Sequence, residues 1–207
     1  MRLPTKRVFF KNYVFDVWQD VYEPAEDSFL FAENLAVKEG EKVLDVGTGC
    51  GILGIIASNK ASQVVAIDIN PAAVRCAKEN AKLNGVGDKM FFIQGDLFAP
   101  LKTGEKFDLI LFNAPYLPTE PFEGKTFVER AWAGGTSGRA VIDRFLNGVR
   151  DYVNVGGRVL LMQSTLADIN ETMQILEVKG FKAETIASLD LPFFEMIVLI
   201  EAKASLP

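Results

Sequence analysis

Residues Asn113-Ala114-Pro115-Tyr116 follow the apolar run Phe107-Asp108-Leu109-Ile110-Leu111-Phe112, and they carry acceptors that could hold a planar NH2 group. The Asn113 side-chain oxygen and the Ala114 carbonyl supply one acceptor for each hydrogen. Pro115 drives Ala114 out of the helical region into an extended conformation, which fixes the direction of that carbonyl. Tyr116 adds an aromatic face for the plane of the bound group. The set would select a primary amide or an adenine amino group. Both nitrogens are poor nucleophiles because their lone pairs are delocalised, so they need orientation toward an electrophile more than a strong base. In isolation Asn-x-Pro is ordinarily a turn. Acidic residues at three other strand ends argue for chemistry here.

The first of these is Asp45, just before Gly47, Gly49 and Gly51 in the stretch Asp45-Val46-Gly47-Thr48-Gly49-Cys50-Gly51. The glycines let the backbone turn tightly and approach a nucleotide-like ligand, and Asp45 is either a turn former or a partner for a ligand amino group. Gly49 to Gly54 also satisfies the G-x-G-x-x-G pattern of dinucleotide-binding folds, so the loop alone leaves both readings open. Asp68 closes the second strand and could accept both hydroxyls of an adenosine ribose. Asp96 ends the third strand, where its carboxylate and the Leu97 backbone could receive an adenine. An adenosine site with no place for a pyrophosphate favours S-adenosylmethionine.

The elements that must position these residues are strands near 43–47, 63–68, 89–94, 107–112, 157–163, 181–187 and 194–201. They alternate with helices near 25–37, 51–59, 71–84, 137–153 and 168–179, an α/β pattern with a mainly parallel sheet. Pro71 and Ser137 read as helix-start signals. The chain of 207 residues is expected to be a single domain, with N-terminal strands and a helix over 1–40. The connection over 117–136 is long for a compact domain and is a candidate lid loop.

Composition narrows the chemistry. With no histidine and only Cys50 and Cys76, the sequence offers no zinc site of the usual kind, no metal is expected, and the commonest general base is missing. The two cysteines read as reduced, buried thiols. A net charge of -5 disfavours nucleic acid as the main partner without excluding it. No apolar stretch reaches membrane-spanning length and no signal peptide is evident, so a cytoplasmic protein that engages no membrane is expected.

Six segments carry a resemblance: Val21-Tyr22-Glu23-Pro24-Ala25-Glu26-Asp27-Ser28-Phe29-Leu30, Leu44 to Gly51, Ile67 to Asn70, Gly95 to Phe98, Phe112 to Tyr116, and Arg130 to Phe145. Together they resemble the HemK-like family of class I S-adenosylmethionine-dependent methyltransferases, in the eukaryotic and archaeal branch. That branch methylates the glutamine of the Gly-Gly-Gln motif in class I translation release factors. The resemblance implies a Rossmann-like fold with a seven-stranded, mostly parallel sheet in the order 3-2-1-4-5-7-6. It implies cofactor contacts at Ser28, Asp45, Gly47, Asp68, Asp96, Leu97 and Asn113, beside Gly49 of the glycine loop, and a target amide held by Asn113, Ala114, Pro115 and Tyr116. Ala114 departs from the family's Asn-Pro-Pro-Tyr, and Trp132 reads as packing for the loop.

Three rival functions remain: adenine N6-methylation of DNA or RNA, an NAD-dependent oxidoreductase for which no hydride-transfer residues are found, and a non-catalytic binding module, against which the intact Asp68 and Asp96 argue. The implied strand order leaves 89–94 on an edge, where Met90-Phe91-Phe92-Ile93 is apolar throughout. Either helices cover it, with Asp88 and Lys89 as guards, or it pairs with the small zinc-binding activator that the branch implies. Zinc in such a complex would come from the partner.

Overall fold

The apolar runs near 43–47, 63–68 and 107–112 are buried on both faces, as strands of a parallel sheet must be when helices cover them. The structure is a computed structural model that describes residues 5–120 and 123–205. The basic start of the chain at 1–4, positions 121–122 of the candidate lid and the last two residues lie outside the described residues. Contacts cluster into two units, Met1–Pro100 and Leu101–Pro207.

The first unit opens with β1 (Lys6–Phe10) and β2 (Tyr13–Val17), an antiparallel pair. Then come α1 (Glu26–Glu33), β3 (Lys42–Val46), α2 (Ile52–Ala57), β4 (Gln63–Asp68), α3 (Pro71–Leu83) and β5 (Met90–Gln94). β3, β4 and β5 are parallel with β4 in the middle, and Asp68 pairs with Gln94 at the carboxyl end. α3 starts where the sequence signals it. Asn70 caps it by accepting the Ala72 N–H, and Pro71 occupies the first turn, where a missing N–H costs nothing.

The buried face of α3 includes one polar residue, Asn80. It accepts the Asp16 N–H at 2.8 Å and donates to the carbonyls of Asp16 at 3.0 Å and Cys50 at 2.8 Å. Asn84, one turn on, brackets Val14 in the same way. These two amides finish the open edge of β2, so the N-terminal hairpin is stitched to α3 by backbone bonds as well as by burial. Cys50 and Cys76 are free and buried, and burial pushes the Cys76 thiol up to about 11, so both stay protonated packing groups.

The second unit holds β6 (Phe107–Asn113), α4 (Ala140–Val149), β7 (Val153–Ser164), α5 (Ile169–Val178), β8 (Phe181–Asp190) and β9 (Met196–Ala204). β6 and β7 are parallel, β9 runs antiparallel to β7, and β8 antiparallel to β9. In the numbering of the seven expected strands, the first unit runs 3-2-1 and the second 4-5-7-6. Ile142, Phe145, Leu146 and Val149 make the buried stripe of α4, and Phe145 meets Phe112 of β6 with ring centroids 4.4 Å apart.

Several boundaries differ from the sequence reading. Ser137 does not cap α4: the helix begins at Ala140, because Gly138 at φ 73° breaks the chain direction between them. α1 stops at Glu33, where Asn34 turns its side chain back to the Leu30 carbonyl. α2 has six residues, and Ser58 ends it by bonding the Ile55 carbonyl. Asn113 is the last residue of β6, still paired with Met162, rather than the residue after the strand.

Candidate functional site

The carboxyl ends of β3, β4 and β5 meet through backbone bonds that converge on Asp68. One carboxylate oxygen accepts the Gly49 N–H at 2.9 Å, the other accepts the Asn70 N–H at 2.8 Å, and the Asp68 carbonyl accepts from Gly95 at 2.9 Å. Asp68 is 9% exposed, and burial holds its carboxyl above the ordinary range against those two bonds. A carboxylate oxygen has two lone-pair directions and each here uses one on the backbone, so a pair of hydroxyls could take the others. Gly49, at φ 58°, has room for a ligand: a Cβ there would meet no described atom within 4 Å.

Asp45 does something different from Asp68. One oxygen takes the Thr48 hydroxyl at 2.6 Å and the Gly54 N–H at 3.0 Å, which ties the strand end to the first turn of α2. Gly54 permits this, because a Cβ there would lie 2.8 Å from that oxygen. Of the two readings of Asp45, turn former is therefore the one that these contacts describe.

Asp96 is half-buried after β5, and its carbonyl accepts the Ala99 N–H at 3.0 Å. Leu97 sits at φ 48°, a left-handed conformation uncommon for a leucine and of the kind that gathers at binding loops. Ser28 is buried in the first turn of α1, donating its hydroxyl to Asp27, which also receives the Tyr22 hydroxyl. Burial first, then Asp27, pushes the Tyr22 phenol upward, so it remains a donor. The first unit thus gathers Asp45, Gly47, Gly49, Asp68, Asp96 and Leu97 on one rim. These residues fit an adenosine-bearing cofactor: a hydroxyl-accepting carboxylate, open glycine backbone, and a strained loop after the third expected strand.

In the second unit the Asn113–Tyr116 segment is fixed from both sides. Ala114 donates to the Met162 carbonyl at 3.3 Å, and Ala114 and Tyr116 are buried. On the other side lies Gly138, where a Cβ would come within 2.4 Å of the Tyr116 carbonyl oxygen and 3.3 Å of the Ala167 methyl. The expected lid loop is zipped at its base: Leu117 donates to Trp132, Gly134 to Leu117 and Thr119 to Gly135. Further out, Thr126 and Glu129 cap each other ahead of the short turn Glu129–Ala131. Trp132 is half-buried beside that zipper.

Sequence reasoning missed Gly138 and Arg139. The buried Arg139 guanidinium donates to the carbonyls of Ala167 at 2.6 Å and Asp168 at 2.7 Å and to the Thr172 hydroxyl at 3.0 Å, and pairs with Asp143 and Glu171. An arginine at a helix start, where the dipole disfavours a cation, was the available signal.

Two predictions follow from these contacts. Burial raises the Asp45 carboxyl from 3.8 to about 6, against the bonds from Thr48 and Gly54. Below pH 3.8 it is protonated in both states. Between 3.8 and about 6 the folded chain holds a proton that the unfolded chain has lost, so stability falls as pH rises through that window, by about 3 kcal/mol in all. Asp45→Asn removes this titration, and urea unfolding without cofactor at pH 4 and pH 7 should show the variant gaining on the parent by roughly that amount; parallel pH profiles would refute it. Ala114→Pro, which the family pattern invites, removes the donor to Met162 at a site only 3% exposed. It should lower stability by about 1 to 3 kcal/mol in urea unfolding, because the buried Met162 carbonyl loses that donor; unchanged stability would refute it.

The sequence model of the ribosomal protein L11 methyltransferase (PrmA) family matches residues 27–114. A putative protein N5-glutamine methyltransferase of Methanocaldococcus jannaschii is 45% identical over 182 residues, covering 87% of this chain and 90% of that protein. Human methyltransferase HEMK2 is 37% identical, covering 83% of this chain and 84% of that protein. Among solved structures, the E. cuniculi Mtq2-Trm112 complex, described as responsible for methylation of the eRF1 termination factor, matches with TM-score 0.70 at 25% identity. It covers 90% of this chain and all of the matched chain. These relatives remove the oxidoreductase reading, and the cofactor is S-adenosylmethionine. The chain belongs to the HEMK2-like family of S-adenosylmethionine-dependent protein-glutamine methyltransferases.

Proposed function

We propose that the chain methylates N5 of the glutamine in the Gly-Gly-Gln motif of a class I translation release factor, in the cytoplasm. The observation that carries this reading is the Asn113–Tyr116 segment, held by Met162 on one side and Gly138 on the other at a strand end. The relatives support it, since one is named for N5-glutamine and the solved complex for eRF1.

When bound, S-adenosylmethionine would supply an electrophilic methyl group: the methyl–sulfur bond would break as the bond to the glutamine amide nitrogen forms, with S-adenosylhomocysteine leaving and one N–H proton passing to water. Asp68 accepts the ribose hydroxyls, Asp96 and Leu97 receive the adenine, and Gly47 and Gly49 let the backbone close on the cofactor. Asp45, Ser28 and Asn113 complete its contacts. The Asn113 oxygen and the Ala114 carbonyl accept the two amide hydrogens, and the rings of Pro115 and Tyr116 fix the amide plane. Because the segment is pre-set, orientation supplies the help that a base would otherwise give. The loop 117–136 acts as a lid over the acceptor, bonded at its base through Leu117, Thr119 and Gly134.

Adenine N6-methylation is the second reading, since an adenine amine fits the same two acceptors. Labelled cofactor with a full release factor, or with duplex DNA and RNA, separates the two. We expect label in the factor, lost by at least a hundredfold in single-turnover transfer by Asn113→Ala, the order found when a preorganised polar group is removed. Label in nucleic acid alone, or an unimpaired Asn113→Ala, would reject the glutamine assignment.

The partner is a small zinc-binding activator that adds a strand at β5. Among the described residues β5 pairs only with β4, and Phe91 is 52% exposed on it. Lys89 does not guard that edge, because its ammonium reaches back to the carbonyls of Ser58 and Ala61. Co-expression and gel filtration test this: the parent should co-elute with the activator and Phe91→Lys should do so poorly. Separate elution of the parent would end the partner proposal.

A further inference from the structure

The connection between β8 and β9 presents Phe193 in a conformation that folding does not demand. Its side chain is 97% exposed and its backbone sits at φ 63°, ψ 32°, the left-handed region that is rare for a bulky residue. Exposure of an aromatic ring and a strained backbone coincide at one residue. Such outliers persist at sites that use them.

The place of this tip on the second unit gives it a use. Antiparallel register sets Asp190 opposite Met196 and Ile197 opposite Ser164, so the tip lies beyond the carboxyl end of β7, on the rim where β6 ends at Asn113. The Met196 N–H donates to the Thr165 hydroxyl at 3.1 Å, which ties the tip to the turn Thr165–Ala167. Gly138 lies between Ala167 of that turn and the Tyr116 carbonyl. Buried contacts therefore link Tyr116 through Gly138 and Ala167 to the exposed Leu166, and the Thr165 bond links that turn to the tip. Leu166 is exposed, as are Leu189 and Phe193.

We propose that Phe193, Leu189 and Leu166 form a docking surface for the body of the substrate protein, next to the segment that holds its glutamine. The inference rests on the glutamine reading above and adds where the rest of the substrate sits. One side-chain amide offers little area, and a stable protein encounter needs a wider footprint centred on an aromatic anchor. Charge selects the class of occupant. From Ile186 to Met196 the chain has the acids Asp190 and Glu195 and no lysine or arginine, which repels a phosphate backbone and suits an apolar protein patch with neutral or basic neighbours.

Steady-state methylation by the full chain co-expressed with the activator tests the surface with two substrates, a whole release factor and a short peptide carrying Gly-Gly-Gln. Phe193→Gly relieves the backbone and removes the ring, so thermal stability should hold or rise. With the whole factor its KM should rise about tenfold at unchanged kcat, the loss expected of one anchor residue. With the peptide, KM and kcat should match the parent, and Phe193→Tyr should restore parent behaviour on the factor. An unchanged KM for the factor, or equal rises for factor and peptide, overturns the docking surface while leaving glutamine methylation standing. A parent enzyme that methylates neither substrate overturns both.

Discussion

One buried carboxylate organises the first unit. Asp68 binds the Gly49 N–H on one oxygen and the Asn70 N–H on the other, while its carbonyl receives Gly95. Through those three bonds it joins the glycine loop after β3, the start of α3 and the turn after β5. Burying the charge is costly, and the two backbone bonds offset it only in part, as the raised carboxyl shows. A site in that condition is completed by further donors. The hydroxyls of a ribose would supply them without adding charge, which is the chemical reason that a nucleoside fits where a phosphate would not.

The second unit solves a related problem with a buried cation. Arg139 gathers the Ala167 and Asp168 carbonyls and the Thr172 hydroxyl, and its charge is balanced by Asp143 and Glu171. Its backbone follows directly on Gly138, whose missing side chain lets the chain lie against the Tyr116 carbonyl. The acceptor segment is therefore set as much by residues far along the chain as by its own sequence. Pro115 restricts Ala114, but Met162 and Gly138 decide where both lie.

The candidate residues Asp45, Asp68, Asp96 and Asn113 draw notice in the sequence because they stand at or beside strand ends, where apolar runs stop. The strands themselves were legible for the same reason: β4 spans the predicted 63–68, because an uninterrupted apolar run bounded by polar residues allows little else. What the sequence concealed acts through backbone. Asn80 reads as an ordinary polar residue on a helix until its three bonds to the hairpin and the glycine loop are seen. Gly138 reads as one more loop glycine, and Ser137 as a helix cap, until the left-handed turn between them is known. Asp45 stayed ambiguous because a turn former and a ligand acceptor have the same residue type and differ only in what their oxygens meet.

A chain without histidine has to perform its chemistry by placement, and both units are built for that. An amide nitrogen loses its proton readily once a methyl group has arrived, so the barrier lies in alignment and in stripping water from a weak nucleophile. Alignment to a fraction of an ångström needs acceptors whose own positions do not fluctuate, and backbone carbonyls locked in a sheet meet that demand better than flexible side chains do. Ala114, the residue after β6, is bonded to β7 through its N–H, which restrains the carbonyl it would offer. The substitution of alanine for the family proline fits this logic, because the restriction a second proline would impose on Asn113 is already supplied by the pairing of Asn113 with Met162.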